Sequence, residues 1–320
     1  MKIIRLNEPP RQAPEPCVAT IGFFDGVHLG HQFLIRHVRQ AAAEAGLRSM
    51  VITFDRHPRQ VLAQDYQPRL LTTLDDKLAH LEATGIDEVA LLHFSREMAA
   101  LTAQEFMRLV LRDRLNVRKL VIGYDNRFGH NRAEGFDDYV RYGRELGIEV
   151  IHNPAFVLND IKVSSSVVRS FIGDGEVALA NRCLGYTFTL SGTVGHGFGE
   201  GHKLGYPTAN LDVADPSLII PANGVYAVSV RVGGDTVWHR GMMNIGVRPT
   251  FDNGGRTLEV NILEFDADIY DRPMTVALRQ RMRAEQRFDS PARLAAQLRQ
   301  DERAVRDYFN QQQQNKETAK

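Results

Sequence analysis

The sequence predicts an α/β first half, built as a doubly wound parallel sheet, and a second half built as an antiparallel β-barrel with a closing helix. Up to about residue 184, continuous apolar runs alternate with amphipathic segments, as in strand–helix–strand units whose sheet is covered on both faces. Beyond that residue, turn residues separate the apolar runs, which is typical of antiparallel strands. A chain of 320 residues with 43% hydrophobic composition is long enough to bury two such cores.

Strands and helices are expected to alternate in the first half. Apolar runs predict strands at CVATIGFF, SMVITF, EVALLHF, KLVIGY and IEVI. Helices are predicted over Gln32–Ala45 and about Asp75–Thr84, after the capping pair Thr102 and Glu105, and up to Gly147. Because ligands bind at the carboxyl ends of strands near the topological switch of such sheets, we expect functional residues directly after these strands.

The second half is predicted to hold successive strands and one long helix. The strands are YTFTLSGTV, VYAVSVRV, TVWHRGMMNIG and TLEVNILEF. Residues 311–320 lack apolar content and are predicted to be a disordered tail, which gives domains of residues 1–184 and 185–310. The signals for the helix are an N-cap, a proline at the first helical position and one apolar face: Ser290, Pro291, Leu294, Leu298, Val305 and Phe309.

The composition of the chain argues against several classes of protein. Lys plus Arg equals Asp plus Glu at 39 each, so no global field attracts nucleic acid or an anionic membrane. Cys17 and Cys183 belong to no CxxC or Cys/His cluster, which argues against a disulfide framework or a zinc site and favours the cytoplasm. No stretch approaches the roughly 20 apolar residues of a membrane span. No obligate protein partner is indicated.

The segment Gly22–His31, GFFDGVHLGH, follows the first predicted strand and opens its helix. Backbone amides at a helix N-terminus favour anions, and glycines let a phosphate approach the backbone. His28 and His31 are three residues apart and project from the same turn. An ATP triphosphate fits this pattern; the alternatives are half of a zinc site or simply polar residues at a helix start.

Three further segments fall where the predicted sheet would place a nucleotide: VIGYDNRFGHNR, TFDRHP and VSSSVVR. Hydroxyls and a guanidinium at a helix start can hold phosphate oxygens, although a serine run before a helix is also an ordinary N-cap. The candidates that these segments supply are Gly123, Asp125, Asn126, Arg127, Arg132, Asp55, His57, Arg59, Ser164, Ser165, Ser166 and Arg169.

The first half contains, in order, the segments TIGFFDGVHLGHQ, TFDRHPRQVL, LTTLDDKLAHL, LTAQEFM, GYDNRFGHNR and VSSSVVR. In this order they resemble nucleotidyltransferases with an HxGH motif, and among them the N-terminal half of prokaryotic bifunctional riboflavin kinase/FAD synthetases. The resemblance implies that His28 and His31 contact ATP phosphates. It implies a second phosphate-binding segment at Ser164–Ser166 with Arg169. The other nucleotide or flavin contacts that it implies are Gly22, Phe24, Asp25, Gly30, Asp125, Asn126 and Arg127.

Three positions depart from the family pattern. Phe23 stands where many relatives carry Asn, Asp55–Arg56 replaces a more usual Glu–Pro, and Asn126 stands where an aromatic residue is common. These departures leave open an alternative in which the first domain binds nucleotide without reacting and the chain is a riboflavin kinase only.

A second constellation begins with SGTVGHGFGEGHKLGYPTANL. Glycines at residues 195, 197, 199 and 201 predict a loop whose amides wrap a triphosphate, or else a flexible hairpin loop. The sequence has no GK[ST] and no GxGxxG at a strand-to-helix turn, so neither a Walker P-loop nor a dinucleotide fold is indicated. In TLEVNIL, the period of two places Glu259 with Thr257 and Asn261 on one face, as a candidate general base or an ordinary solvated carboxylate.

The second half contains, in order, the segments LGYPTANL, PANGVYAV, GMMNIGVRPTF, LEVNILEFDADIYD and RMRAEQRF. In this order they resemble the riboflavin kinase module, over about residues 186–309. The resemblance implies that Thr208 binds Mg²⁺ and an ATP phosphate, and that Asn210 positions the nucleotide. It implies that Glu259 deprotonates the riboflavin 5′-hydroxyl. His202 stands where relatives often carry Arg. The remaining nucleotide contacts that it implies are Gly199, Gly201, Lys203 and Pro207.

Together the resemblances imply an enzyme that phosphorylates riboflavin to FMN in its second domain and adenylylates FMN to FAD in its first. ATP is the co-substrate, Mg²⁺ the cofactor, and ADP and pyrophosphate the by-products. The other alternative is a non-enzymatic flavin or nucleotide sensor, although PTAN and both histidines of HLGH are present. Because the net charge is zero, we expect a solvated face or an arginine near the active site, rather than a nucleic-acid patch, at Arg279, Arg281 and Arg283.

Overall fold

The computed structural model describes residues 1–6, 14–63, 65, 67–124, 126–130, 134–196, 205–247 and 256–318. The contacts between residues divide the chain into two compact units, Met1–Ser165 and Ser166–Lys320. The domain boundary predicted from the sequence falls later, at residue 184, because it was placed where the strand pattern changes. Within the described ranges, no helix is long and apolar enough to cross a membrane.

The first unit is built on six parallel strands: β1 (Lys2–Arg5), β2 (Cys17–Ile21), β3 (Arg48–Phe54), β4 (Glu88–Leu92), β5 (Val117–Gly123) and β6 (Glu149–Asn153). Their order in the sheet is β1-β4-β3-β2-β5-β6. The chain therefore runs outward from β2 through β3 and β4, and then returns to the other side of β2 with β5. This reversal puts the topological switch between β2 and β5, as expected for a doubly wound sheet.

Several predicted capping signals are found in this unit, although the first helix begins at Leu29, three residues before the predicted Gln32. Thr102 and Glu105 form the capping box at the start of α5, and Gly46 and Gly147 end α1 and α6 in the left-handed conformation. The helices are α1 (Leu29–Ala45), α2 (Pro58–Leu62), α3 (Leu74–Ala83), α4 (Arg96–Ala100), α5 (Ala103–Phe106) with π-helical turns over Met107–Arg112, and α6 (Phe136–Leu146), followed by the small hairpin β7 (Val157–Leu158) and β8 (Ile161–Lys162).

Apolar side chains cover both faces of the sheet, as the continuous apolar runs predict. Ile52 and Leu120 lie in one core, whereas the adjacent residues Val51 and Val121 lie in the other. Burying a large apolar side chain fully contributes about 1.5–3 kcal/mol to the free energy of unfolding. No strand is predicted at β1, because a run of four residues that includes Lys2 and Arg5 does not resemble a buried strand; β1 pairs with β4 at the edge of the sheet.

The second unit contains a closed barrel of six antiparallel strands in the order β10-β13-β12-β11-β14-β9. The chain reaches it through α7 and α8, and α8 packs against β14, where Asn181 donates to the Leu278 carbonyl at 2.9 Å. The elements are α7 (Ser165–Gly173), α8 (Val177–Leu184), β9 (Thr189–Gly195), β10 (Ala209–Val213), β11 (Gly224–Val232), β12 (His239–Val247), β13 (Arg256–Ile262), β14 (Pro273–Ala284) and α9 (Pro291–Thr318).

Helix α9 closes the barrel along the predicted face. Val305 is fully buried against Met242, and Leu298 and Phe309 pack beside it. The Ser290 hydroxyl accepts the Arg293 amide at 3.3 Å, which confirms the predicted N-cap. The burial of this face explains why the helix is stable although most of its residues are polar.

Helix α9 also continues to Thr318, which corrects the predicted disordered tail over residues 311–318. Arg240 on β12 donates to Asn310 and to Gln313, each at 3.1 Å, and Gln313 in turn donates to Glu317 at 3.4 Å. Polar pairs four residues apart contribute only about 0.2–0.5 kcal/mol each. The apolar pattern of the sequence cannot reveal a helix that is held by such polar contacts.

The arginines of β14 bond within the second unit, which corrects the expectation of a solvated face. Arg279 donates to the hydroxyl groups of Ser229 at 3.1 Å and Thr187 at 2.8 Å. Arg281 donates to the backbone carbonyl of Asn223. These guanidinium groups therefore link β14 to neighbouring segments of the second unit.

Arg283 forms a buried ion pair with Asp301 of α9. Its Nε and Nη2 atoms lie 2.8 Å and 2.6 Å from the two carboxylate oxygens, and Asp301 is only 4% exposed. Gln297 donates to the same carboxylate at 2.9 Å. This bidentate geometry links the helix to the barrel by a polar contact that complements the apolar face.

We predict that Asp301→Asn destabilises the second unit, because removing one partner of a buried ion pair costs about 3–5 kcal/mol. Asp289→Asn is the matched control, since its pair with Arg293 is exposed and such pairs contribute about 1 kcal/mol or less. Urea unfolding followed by fluorescence of Trp238, the single tryptophan, reports on this unit. Equal unfolding midpoints for the two variants would contradict the role of the buried pair.

Candidate functional site

The first candidate site lies at the carboxyl ends of β2 and β5, where the sheet reverses direction. The loop after β2 carries the HxGH motif, and the loop after β5 carries Asn126. The Asn126 side chain donates to the Ile21 carbonyl at the end of β2, so this predicted contact residue bridges the two strand ends. The sequence-based expectation that candidates follow these strands is confirmed for this pair of loops.

The loop after β2 has an unusual backbone. Phe24 and Val27 have positive φ angles of 57° and 33°, and between them Gly26 has a φ of 78°. Asp25 is 4% exposed, and its carboxylate accepts the Leu71 amide at 2.9 Å and the Thr72 amide at 3.3 Å. These hydrogen bonds offset the strain of the turn, and they engage the Asp25 carboxylate within the fold.

Two more hydrogen bonds hold the same turn. The Gly26 amide donates to the Thr72 hydroxyl at 3.2 Å. The Ser165 hydroxyl donates to the Asp25 carbonyl at 3.0 Å, so one member of the predicted serine segment acts on the HxGH loop directly. The loop is therefore fixed by side chains from the segment before α3 and from the start of α7.

The two histidines occupy the start of α1. His28 is its N-cap, and the His28 Nδ1 accepts the His31 amide at 3.3 Å, so a neutral His28 carries its proton on Nε2. The two rings are stacked with centroids 3.6 Å apart. His28 is 4% exposed, whereas His31 is half-buried beside the Phe24 ring. The arrangement places two imidazoles at a helix N-terminus, whose partial positive charge favours anions.

Two glycines of this motif are needed for close approach. A Cβ atom on Gly30 would lie 3.0 Å from the Val163 carbonyl and 3.1 Å from the His28 ring. A Cβ atom on Gly22 would lie 3.1 Å from the Phe24 ring. A Cβ atom at either position would require its neighbours to shift by a few tenths of an ångström.

The remaining candidates of the first site lie at the start of α7 and after β5. Ser164 precedes α7 and is half-buried, Ser166 is exposed on its first turn, and Arg169 lies half-buried one turn later. Ser166 and Arg169 belong by their contacts to the second unit. Arg127 is exposed after β5. The predicted residues Asp125 and Arg132 lie outside the described residues.

The TFDRHP segment adds a carboxylate and an imidazole after β3, and His93 adds a second imidazole after β4. Asp55 Oδ2 lies 2.7 Å from His93 Nδ1, and its other oxygen accepts the Phe94 amide at 3.3 Å. His57 caps α2, and its ring meets the edge of Phe23 with centroids 4.8 Å apart. Thus Asp55, which departs from the family pattern, pairs with His93.

Lys77 is a residue of this site that sequence reasoning missed. It is 3% exposed on α3, and its Nζ donates to the Phe54 carbonyl at 2.8 Å and to the Phe23 carbonyl at 3.3 Å. Burial lowers the pKa of Lys77 to about 8, although Asp25 and Asp55 act in the opposite direction. The amphipathic segment LTTLDDKLAHL gave no signal for this role, since a lysine on a helix is ordinarily solvated.

The second candidate site lies on the barrel. Glu259 on β13 is opposite Asn210 of β10 on one side and opposite Asn244 of β12 on the other. Residues directly opposite each other in an antiparallel ladder project to the same face, so these three polar side chains share one surface. Glu259 is half-buried, between Leu258 and Val260, which are buried on the other face, as the period of two predicts.

The PTAN segment is anchored beside this surface. Thr208 is half-buried directly before β10, and the carbonyl of Pro207 accepts the Asn261 side-chain amide at 2.7 Å. The Tyr206 hydroxyl donates to Glu302 of α9 at 3.0 Å. The predicted loop residues Gly199, Gly201 and Lys203, together with His202, lie outside the described residues.

The donor chemistry of the two sites differs. Among the described residues, no group of three or more His, Cys, Asp or Glu side chains could hold a metal ion. On the barrel, the hydroxyl of Thr208 and the carboxylate of Glu259 are oxygen donors, which fit Mg²⁺, an ion that keeps several waters and binds substrate phosphates. The first site offers imidazoles and helix amides instead.

Comparisons with known proteins match both halves of the chain. A family model described as FAD synthetase matches residues 10–167, and one described as riboflavin kinase matches residues 184–309. The bifunctional riboflavin kinase/FMN adenylyltransferase of Escherichia coli strain K12 is 39% identical, over 97% of this chain and 98% of the relative. The protein of that name from Listeria monocytogenes is 38% identical, over 91% and 92%.

One solved structure matches nearly the whole chain. Titled a macrolide-efflux protein from Streptococcus pneumoniae, it has a TM-score of 0.86 and 34% identity, over 96% of this chain and 99% of that one. The likeness extends over both the parallel sheet and the barrel.

We predict that Thr72→Val accelerates hydrogen exchange of the Gly26 amide by about tenfold or more, because a buried donor that loses its acceptor costs about 1–3 kcal/mol. Thr73→Val is the control. Its hydroxyl accepts the Asp76 amide at the start of α3, so this change should expose Asp76 and leave Gly26 protected. Unchanged exchange of Gly26 in Thr72→Val, measured by NMR, would contradict the proposed support of the loop.

Proposed function

This chain belongs to the bifunctional riboflavin kinase/FMN adenylyltransferase family, and we propose that each activity resides in one of its domains. Residues 1–184 transfer the adenylyl group of ATP to FMN, and residues 185–310 transfer the γ-phosphoryl group of ATP to riboflavin. The observation that carries this division is the match of the FAD synthetase and riboflavin kinase regions to two unlike folds, a parallel sheet and a closed barrel. The kinase acts first, since its product FMN is the substrate of the other domain.

In the kinase reaction, Glu259 acts as the general base. Its carboxylate accepts the proton of the riboflavin 5′-hydroxyl as that oxygen bonds to the γ-phosphorus, and ADP leaves with the bridging oxygen. Asn210, opposite Glu259 in the ladder, orients the nucleotide and the reacting groups. The support for this role is the shared surface, which brings an amide and a carboxylate to the same side of the barrel.

The Thr208 hydroxyl is assigned to Mg²⁺ and to an ATP phosphate. When bound, Mg²⁺ supplies neutralisation of the charge on the phosphates. Asn261 supports this assignment, because its hydrogen bond to the Pro207 carbonyl fixes the backbone directly before Thr208. From the sequence, Gly199, Gly201 and Lys203 are assigned to the same triphosphate.

In the adenylyl transfer, the FMN phosphate attacks the α-phosphorus of ATP and pyrophosphate leaves. The attacking phosphate is already an anion at neutral pH, so the domain needs charge stabilisation more than a base. We assign that role to His28 and His31, together with the amides at the start of α1. Gly22 and Gly30 let the phosphates approach, while Phe24 and Asp25 shape the turn that aims these groups.

The segment of Ser164, Ser165, Ser166 and Arg169 is assigned to the leaving pyrophosphate. Its hydroxyls and guanidinium suit phosphate oxygens, and the guanidinium in particular can donate two parallel hydrogen bonds. Asp125, Asn126 and Arg127 are assigned to the flavin or the nucleotide. Support comes from the position of Asn126 at the switch point, where ligands of such sheets bind.

The state of the cysteines supports a cellular compartment for the protein. Cys17 and Cys183 are free and buried, which fits a reducing cytoplasm, the compartment that also supplies ATP. The ligands of the protein are then riboflavin, FMN, FAD, ATP, ADP and pyrophosphate.

We predict that wild-type protein given riboflavin, ATP and Mg²⁺ produces FMN first and FAD second, whereas His28→Ala with His31→Ala stops at FMN. Losing two positioned donors to the phosphates should reduce FAD formation by about 100-fold or more. His152→Ala is the control, because this histidine is exposed on β6 of the same unit. Chromatography of the products measures both steps, and loss of FMN in the double variant would refute the division into domains.

We predict the converse for Glu259→Gln. Removing the base while keeping its shape should lower riboflavin phosphorylation by about 10²–10⁴-fold and leave FAD formation from supplied FMN unchanged. Glu264→Gln is the matched control, since this nearby carboxylate is 77% exposed and pairs with Arg306. A Glu259→Gln variant with the turnover number of wild type would exclude Glu259 as the base.

A further inference from the structure

Lys77 is the buried cation beneath the HxGH loop. It projects from α3 and is 3% exposed, and its Nζ contacts three oxygen acceptors: the Phe54 carbonyl at 2.8 Å, the Phe23 carbonyl at 3.3 Å and the Thr53 hydroxyl at 3.4 Å. An ammonium group has three N–H donors, so the three acceptors match its capacity. Burying a lysine is costly, and this one is compensated mainly by neutral oxygens rather than by a contacting carboxylate.

The acceptors belong to two segments that meet at the site. Thr53 and Phe54 end β3, whereas Phe23 lies in the loop after β2. The Thr53 hydroxyl also donates to the Phe23 carbonyl at 3.0 Å, so that one carbonyl receives two donors. The Lys77 Nζ lies 4.2 Å from the centroid of the Phe23 ring as well. Both the backbone and the side chain of Phe23 are therefore fixed by Lys77.

The fixed residue directly precedes the strained turn. Phe24 has a φ of 57°, and the His28 cap of α1 follows four residues later. The segment directly before α3 holds the other side of the turn, because the Leu71 amide donates to the Asp25 carboxylate. Loss of the Lys77 contacts would free the turn on the side of β3 while leaving the Asp25 contacts in place.

We propose that Lys77 is a positioning residue for adenylyl transfer, whose ammonium group holds the Phe23 carbonyl and thereby aims the HxGH loop at the ATP phosphates. This inference rests on the assignment of adenylyl transfer to the first domain. Lys77 touches neither the nucleotide nor the flavin in this proposal; it acts through the backbone of the loop.

The charge state of Lys77 gives the proposal a measurable consequence. Burial lowers its pKa to about 8 from the ordinary 10.5, and the charged groups that face it are Asp25 after β2 and Asp55 after β3, the latter paired with His93. Above about pH 8 the neutral amine keeps two N–H donors for three acceptors. The hold on the loop weakens, so FAD formation should decline as the pH rises through this value.

Destabilisation by the titration of Lys77 itself cannot explain such a decline. Because the pKa is lower in the folded protein than in the unfolded chain, folding favours the neutral amine. The contribution of Lys77 to stability therefore becomes more favourable as the pH rises from about 8 to 10.5. A loss of activity over this range, if it depends on Lys77, reports on the loop.

The test compares Lys77→Met and Lys77→Arg with the matched control Lys119→Met, a lysine on β5 that pairs with the exposed Glu149. FAD formation from FMN and ATP is measured between about pH 6 and pH 10, and riboflavin phosphorylation by the same preparation verifies the intact second domain. We expect Lys77→Met to lower kcat for FAD formation by about 10- to 100-fold at neutral pH, because misplacing a catalytic loop by about 1 Å has such effects. The decline above pH 8 should disappear in Lys77→Met.

The arginine variant separates charge from folding. Arginine stays protonated across this range, so Lys77→Arg should recover most of the neutral-pH activity and show no decline near pH 8. A decline near pH 8 that persists in Lys77→Arg would overturn the proposal, as would a wild-type kcat in Lys77→Met. If wild-type protein formed no FAD at any pH, the proposed function of the first domain would fail instead, and the two failures are thereby distinguished.

Discussion

The buried carboxylate of Asp25 is the interaction on which the first site depends. Its neighbours Phe24 and Gly26 both have left-handed backbone, a conformation that costs about 1–3 kcal/mol for a non-glycine residue. A buried charge is more unfavourable still unless it is hydrogen-bonded. The turn aims the carboxylate at the amides of Leu71 and Thr72, and those amides hold the turn. Because α1 begins immediately afterwards, this pair of constraints also sets the direction of its N-terminus.

The second site is held by the register of a closed barrel. Asn210, Glu259 and Asn244 are neighbours because β13 pairs with both β10 and β12. A slip of one residue would turn Glu259 to the opposite face, and pairing on both sides of β13 prevents it. The hydrogen bond from Asn261 to Pro207 then places the chain before β10 relative to the same ladder. Thus the kinase surface is fixed mainly by backbone pairing, whereas the HxGH loop is fixed by buried side chains.

This difference explains what the sequence could and could not reveal. Signals that act between close residues, such as the Thr102 capping box and the glycine after α6, gave the elements correctly, and the period of two placed Glu259 on the proper face. Contacts between distant residues left no local pattern. Lys77 looks like an ordinary helix lysine until the fold brings it under Phe23, and Arg281 looks exposed until its carbonyl acceptor is known. The register of a strand is encoded locally, but the acceptor of a buried cation is not.

Phe23, Asp55 and Asn126, which depart from the family pattern, all have partners inside the first unit. The Phe23 ring lies against the Lys77 ammonium, Asp55 lies 2.7 Å from His93, and the Asn126 amide donates to the last carbonyl of β2. These contacts stabilise the loops around the site. An anionic nucleophile such as the FMN phosphate requires charge stabilisation and correct orientation rather than a base. Both tasks are assigned to the histidines and the helix amides. The groups assigned to the phosphates are present alongside these departures, and an altered TFDRHP segment is compatible with both activities of the family.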